Sequence, residues 1–196
     1  MSGPPRVLVV VGSTREGRIG RAVADWFAAA AAAAGGLELD LIDLRDAGLP
    51  ERLTAGHPSR GEYPDAVRPF AARVATADGV VLVTPEYNHG YPAPLKNALD
   101  SVGPEWAAKP VGFVSYGGIS GGIRAVEQLR QVVVELHMAP LRDAVTIPRA
   151  RRLFEEPGGP ADPDGRLADS VAALVRRMSW WARALRAARA AEAYRR

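Results

Sequence analysis

The stretch Gly12-Ser13-Thr14-Arg15-Glu16-Gly17-Arg18-Ile19-Gly20 gathers groups that suit an anion. It follows the apolar run Val7 to Val11, which reads as a short buried strand. The residues after it, from Arg18 through the alanines at 28–34, read as a helix stopped by Gly35-Gly36. A strand feeding a Gly-, Ser- and Arg-bearing loop that opens a helix directs free N–H groups and the positive end of the helix dipole at one spot. Ser13 and Thr14 add hydroxyls, and Arg15 and Arg18 add charged forks for phosphate oxygens. The spacing Gly12-x4-Gly17 begins like a Walker A loop, but Arg18-Ile19 stands where Lys and Ser or Thr are needed, so the Mg²⁺-binding hydroxyl is missing. Thr14 occupies the second glycine of a G-x-G-x-x-G pattern, which removes the dinucleotide fingerprint. A cradle for one terminal phosphate, without metal, remains.

The elements that must position this loop follow in order. Leu37 to Leu44 alternates apolar with acidic residues, with Leu37, Leu39 and Leu41 expected inward and Glu38, Asp40 and Asp43 outward, as in an edge strand. Residues 45–64 form a long Pro- and Gly-rich loop. Asp65 to Ala77 reads as a helix that Pro69 would either kink or start, and Gly79 to Thr84 as a strand covered on both faces. Pro85-Glu86-Tyr87-Asn88-His89-Gly90 follows that strand, then a helix over Pro92 to Asp100. Pro110 to Ser115 reads as a fourth strand running into Tyr116-Gly117-Gly118-Ile119-Ser120-Gly121-Gly122, where glycines let backbone approach a ligand. A helix from Gly121 to Leu136, a fifth strand over Leu141 to Ile147, a second Pro- and Gly-rich loop over 154–165 and a helix over Leu167 to Arg189 complete the chain. Strands alternating with helices predict a parallel α/β sheet. Three ligand-type loops each follow a buried strand, on the edge where open α/β sheets bind ligands.

At 196 residues the chain suits one sizeable core, so a single domain over 1–196 is expected. Residues 176–196 hold seven Arg against Glu192, so the net charge of +3 leaves the rest at −3. The basicity belongs to one helix end, not to a groove, which argues against a nucleic-acid partner. There is no Cys, and His57, His89 and His137 have no metal-ligand spacing. No stretch reaches transmembrane length and no signal peptide is evident, so a cytoplasmic location away from membranes is expected.

GSTREGRIG, PEYNHGYPAPLKNALD and SYGGISGG, in this order, resemble the NAD(P)H-dependent FMN reductases of the flavodoxin-like superfamily, over roughly residues 6–150. The resemblance implies an α/β three-layer sandwich around a five-stranded parallel sheet of order 2-1-3-4-5. It implies FMN at the carboxyl edge, NADPH or NADH as co-substrate, a small-molecule acceptor such as free flavin, a quinone or an azo compound, and a homodimer or homotetramer. By position, Ser13, Arg15, Arg18, Ile19 and Gly20 match the phosphate loop, although Arg18 replaces a frequent Ser. Pro85, Glu86, Tyr87 and Asn88 match the loop along the flavin ring, and Ser115, Gly117 and Gly118 the loop at its polar edge. Tyr116 and His89 read as packing or rim residues, and no catalytic side chain is assigned. Backbone N–H groups near Asn88 and from Gly117 to Gly118 are the expected stabilisers of charge on the reduced ring. An FMN-binding electron carrier without NAD(P)H turnover, and a phosphate-binding module without redox chemistry, stay open.

Overall fold

The computed structural model describes residues 3–52, 56–154, 160, 162 and 164–195. Five strands, β1 (Arg6–Val11), β2 (Glu38–Asp43), β3 (Gly79–Pro85), β4 (Pro110–Tyr116) and β5 (Ala139–Ile147), pair in parallel in the order β2-β1-β3-β4-β5. This is the flavodoxin-like order, whose switch point lies between β1 and β3. Because side chains alternate along a strand, each strand feeds two cores. Val7, Val9 and Val11 pack with Val23 and Phe27 of α1 (Gly20–Ala34) and with Leu174 and Met178 of α6 (Arg166–Ala191). Leu8 and Val10 pack on the other face with Phe70 of α2 (Arg68–Thr76), Leu95 of α3 (Ala93–Ser101) and Val126 of α4 (Ile123–Glu135). The result is the expected three-layer sandwich. All of β3 is buried, as its unbroken apolar run requires.

Several boundaries differ from the sequence reading. Pro69 enters α2 in its first turn, where no N–H is needed, so the helix opens at Arg68 rather than Asp65. β5 starts two residues early and contains Pro140; it pairs only with β4, and an edge strand tolerates the missing donor. A short helix, α5 (Ala150–Phe154), follows β5 and was not anticipated; Phe154 packs edge-on against Trp26. Pro58–Arg60 forms one 3₁₀ turn within the 45–64 loop. Residues 53–55 of that loop, and 155–159, 161 and 163 of the second Pro- and Gly-rich loop, lie outside the described residues. The largest correction is Asp43, which is buried rather than turned outward.

The amino edge of the sheet is tied shut by charge. Asp78 accepts the Arg6 N–H at 3.0 Å and ion pairs with Arg186 (3.1 Å) and Arg189 (3.5 Å), so two of the basic residues of α6 are structural clamps. Beside them the buried Lys109 ammonium donates to the Val74 and Ala75 carbonyls at the end of α2. Burial, and then the neighbouring Arg189 charge, pushes the Lys109 pKa down to about 8. Between pH 8 and 10.5 the native chain sheds a proton that the unfolded chain keeps, so this group makes the fold more stable as pH rises through that window. Urea denaturation across it is expected to show a rise of up to about 3 kcal/mol from this site. A Lys109→Met variant is expected to lack that slope.

Candidate functional site

At the opposite, carboxyl edge, the connections leaving β1, β3, β4 and β5 converge because the strands are parallel neighbours. They surround a cavity of about 400 Å³, within the size range of small-molecule sites. Arg15, Gly17, Arg18 and Ile19 line one side, Pro85, Glu86 and Tyr87 another. Tyr116, Gly117 and Gly118 line a third, and Arg149, Ala150, Arg151 and Arg152 the last.

In the first loop, none of the N–H groups from Ser13 to Ile19 has a backbone acceptor among the described residues. The loop runs directly into α1, whose capping residue Ile19 supplies no side-chain hydrogen bond. Open amides and an uncapped helix start make this the electropositive side of the cavity. Arg15 stands exposed on it. Arg18 has a different task. Its Nη1 donates to the Ser13 carbonyl (2.5 Å) and to Asp43 Oδ1 (2.6 Å), and its Nη2 to Asp43 Oδ2 (2.8 Å). Both side chains are nearly buried, and the hydrogen bond to Asp43 raises the Arg18 pKa further above its ordinary value. Arg18 borders the cavity while its charge is spent folding the loop back onto β2.

Beneath the loop lies a group of hydroxyls. Ser13 Oγ and Tyr87 Oη are hydrogen-bonded at 2.8 Å. Tyr116, at the end of β4, reaches the same place: a Cβ on Gly20 would stand 2.3 Å from its Oη, so a larger residue there would displace the Tyr116 ring. Tyr116 is 5% exposed, and its hydroxyl has no well-formed hydrogen bond among the described residues, although the nearby Ser13 hydroxyl offsets a little of the effect of burial. Burial pushes its pKa well up, so it is a neutral donor across the physiological range. An unpartnered buried hydroxyl carries an energetic cost that a ligand acceptor removes. Tyr116 is therefore floor, not rim.

Tyr87 to Gly90 closes a tight turn, with Tyr87 N–H donating to the Gly90 carbonyl (2.8 Å) and Gly90 N–H to the Tyr87 carbonyl (2.9 Å). Asn88 (φ 50°) and His89 (φ 70°) both take left-handed backbone, the arrangement of a type I′ turn. Gln128 Nε2 donates to the His89 carbonyl at 3.1 Å and steadies it. The Glu86 carboxylate points away from the turn, accepting the Arg124 N–H (3.1 Å) and guanidinium (2.7 Å) at the start of α4. Burial would push the Glu86 carboxyl up, but the Ser120 hydroxyl and both Arg124 donors outweigh it and hold it below its ordinary value.

Of the residues singled out from sequence, Arg15, Arg18, Ile19, Pro85, Glu86, Tyr87, Gly117 and Gly118 line the cavity. Ser13 and Gly20 are not in the lining; they are buried against its Tyr87 and Tyr116. Asn88 lies in the exposed turn. Ser115 is fully buried with its Oγ unpartnered among the described residues; a Cβ on Gly122 would lie 2.8 Å from its Cβ, which places it under the start of α4. The Gly117 N–H, expected to face a ligand, is taken by the Ile147 carbonyl at 3.2 Å. Arg149, Arg151 and Arg152 were not foreseen, since nothing in a Pro-Arg-Ala-Arg-Arg stretch says that it returns to the first loop. Arg151 does so, its Nη2 donating to the Gly17 carbonyl at 3.5 Å.

A family model described as NADPH-dependent FMN reductase matches residues 5–152. An NAD(P)H-dependent FMN reductase of Schizosaccharomyces pombe is 38% identical over 150 residues, 74% of each chain. An NADPH:quinone oxidoreductase of Arabidopsis thaliana is 35% identical over 141 residues, 69% of this chain and 67% of that one. Among solved structures, the flavoenzyme NAD(P)H:(acceptor) oxidoreductase of Paracoccus denitrificans superposes with a TM-score of 0.69 at 22% identity, over 92% of this chain and 98% of its own, a likeness of fold.

Removing one member of a buried ion pair leaves the other charge uncompensated. Asp43→Ala is expected to cost about 3 kcal/mol in chemical denaturation. Arg21→Ala, which breaks the half-exposed Arg21–Asp25 pair, is expected to cost about 0.5 kcal/mol or less.

Proposed function

The chain belongs to the NADPH-dependent FMN reductase family and is an oxidoreductase of FMN and NAD(P)H, and from that premise we propose how its cavity is used. The phosphate of FMN is held by the open amides of Ser13 to Ile19 at the start of α1, with Arg15 at its side. The observation that carries this reading is Tyr116: a buried, unpartnered hydroxyl facing Ser13 and Gly20 in a cavity lined by cations. Its O–H donates to a ligand oxygen there, beside the Ser13–Tyr87 hydroxyl pair. The residues present thus fit the group. When bound, FMN supplies a ring that takes hydride from a nicotinamide and passes electrons to a second substrate.

The chain's own part is to orient and to shield. Pro85 to Asn88 form the wall along the ring, kept in shape by the paired Tyr87–Gly90 turn and by Glu86 anchored on α4. Gly117 and Gly118 form the facing edge. The Gly117 N–H fixes that loop to β5, which leaves the Gly118 N–H as its donor toward charge that develops on the ring. Ser115 acts from behind this loop, supporting the Gly122 turn, and Arg18 acts as a positioning residue for the phosphate loop. The acceptor is a small molecule of the flavin or quinone class; the naming of the Arabidopsis relative supports the quinone. Among the described residues no helix is long and apolar enough to cross a membrane. A cytoplasmic homodimer or homotetramer goes with the family reading.

The test is the visible spectrum of the purified protein with FMN, before and after anaerobic NADPH. Bound flavin that bleaches is the expected result; flavin that binds but stays oxidised with NADPH and NADH would make the protein an electron carrier. Tyr116→Phe removes one hydroxyl donor to an anionic ligand and is expected to weaken FMN binding about tenfold in a fluorescence titration. The urea midpoint of the apoprotein is expected to change little, since the wild-type hydroxyl has only a weak contact with Ser13 to lose.

A further inference from the structure

The cavity holds more positive charge than one FMN phosphate needs. Arg15, Arg149, Arg151 and Arg152 all line it, and among the described residues none of the four is paired with a carboxylate. The acid on its wall, Glu86, is committed to Arg124, and Arg18 to Asp43. A phosphate monoester carries about −1.5 to −2 at neutral pH, and the open amides of the first loop already serve it. Arg15 lies in that loop and Arg151 is joined to it through the Gly17 carbonyl, so these two account for the FMN phosphate. Arg149 and Arg152 are left over.

Their backbone is built to a fixed geometry. Arg149 takes left-handed φ (50°), a conformation that is unfavourable for a long side chain. It is held there by its N–H donating to the Gly118 carbonyl (2.7 Å) and by Ala150 N–H donating to the Gly117 carbonyl (3.1 Å). Arg152 N–H closes the turn on the Arg149 carbonyl at 3.1 Å. Both arginines are exposed, and both are tied through this turn to the Gly117-Gly118 edge of the cavity.

We propose that Arg149 and Arg152 form a second phosphate subsite, which binds the 2′-phosphate of NADPH and selects it over NADH. The proposal rests on the FMN reductase reading above. A guanidinium pair matches the oxygens of a phosphate monoester in charge and in planar donor geometry. The unphosphorylated dinucleotide offers only a hydroxyl at that position, so the pair discriminates between the two co-substrates.

The experiment uses FMN-loaded protein and the oxidised dinucleotides NADP⁺ and NAD⁺, whose binding is measured by isothermal titration calorimetry without turnover. Wild type is expected to bind NADP⁺ at least tenfold more tightly than NAD⁺. The double variant Arg149→Asn/Arg152→Ala, with Asn chosen because it tolerates left-handed φ, is expected to lose at least tenfold in NADP⁺ affinity. Its NAD⁺ affinity should change less than twofold. Arg152→Lys in the Arg149→Asn background should recover part of the NADP⁺ affinity if charge at that position matters. Equal loss for both dinucleotides would assign the pair to the shared pyrophosphate and overturn the proposal, as would a wild type that binds the two alike. FMN titration on the same preparations separates the layers: wild-type protein that takes no FMN sinks the underlying reading, whereas loaded protein without dinucleotide preference sinks this inference alone.

Discussion

The buried pair between Arg18 and Asp43 is the interaction on which the ligand edge depends. A loop that leaves its amides open for a ligand has, for that reason, little backbone bonding of its own. Something else must hold it. The parallel register of β1 and β2 sets Asp43 beside Val11, the last residue of β1, and the chain returns to this point at Arg18. One guanidinium then grips both the Ser13 carbonyl and the Asp43 carboxylate, and Asp43 Oδ1 also accepts the Arg45 N–H at 3.1 Å. Buried charge is tolerated here because the pairing is bidentate and the carboxylate has a further donor.

The two edges of the sheet use charge in opposite ways. At the amino edge Asp78 binds β1 to the last turns of α6, and the cations around it are consumed. At the carboxyl edge several cations and one hydroxyl keep their bonding capacity for something outside the chain. Close packing of α6 across the back of the sheet supports this division. A Cβ on Gly112 would lie 2.9 Å from Leu174 Cδ1, and one on Gly79 2.7 Å from Met178 Sδ, so a larger residue at either place would displace these side chains of the helix.

The strands, their parallel α/β arrangement and the first loop were legible because they rest on periodicity and on glycine and proline chemistry, which are local; the strand order came from the family resemblance. Val7 to Val11 and Gly79 to Thr84 announce buried strands by unbroken apolar runs. What escaped was long-range. Asp43 reads as an outward acid in an alternating strand until its partner 25 residues away is known to fold back onto it. Tyr116 sits next to the recognised glycines, yet the floor it forms depends on Gly20, nearly a hundred residues earlier. The arginines after β5 carry no spacing pattern, and only the packing of α5 against α1 brings them home.

Glu86 gives the site a polarity of another kind. Helices α1 and α4 both begin at the carboxyl edge of the sheet, and each start is a place where an anion gains from the backbone. The chain supplies its own anion to α4, as the Glu86 carboxylate occupies the Arg124 N–H. It supplies none to α1, whose first turn contains no acid. A dianionic ligand that arrives at this edge therefore meets one vacant socket and one already plugged. On the reading proposed above, the anionic head is steered to α1 and the body lies along the neighbouring loops. On that reading an internal decoy adds to the direction that the ligand contacts give.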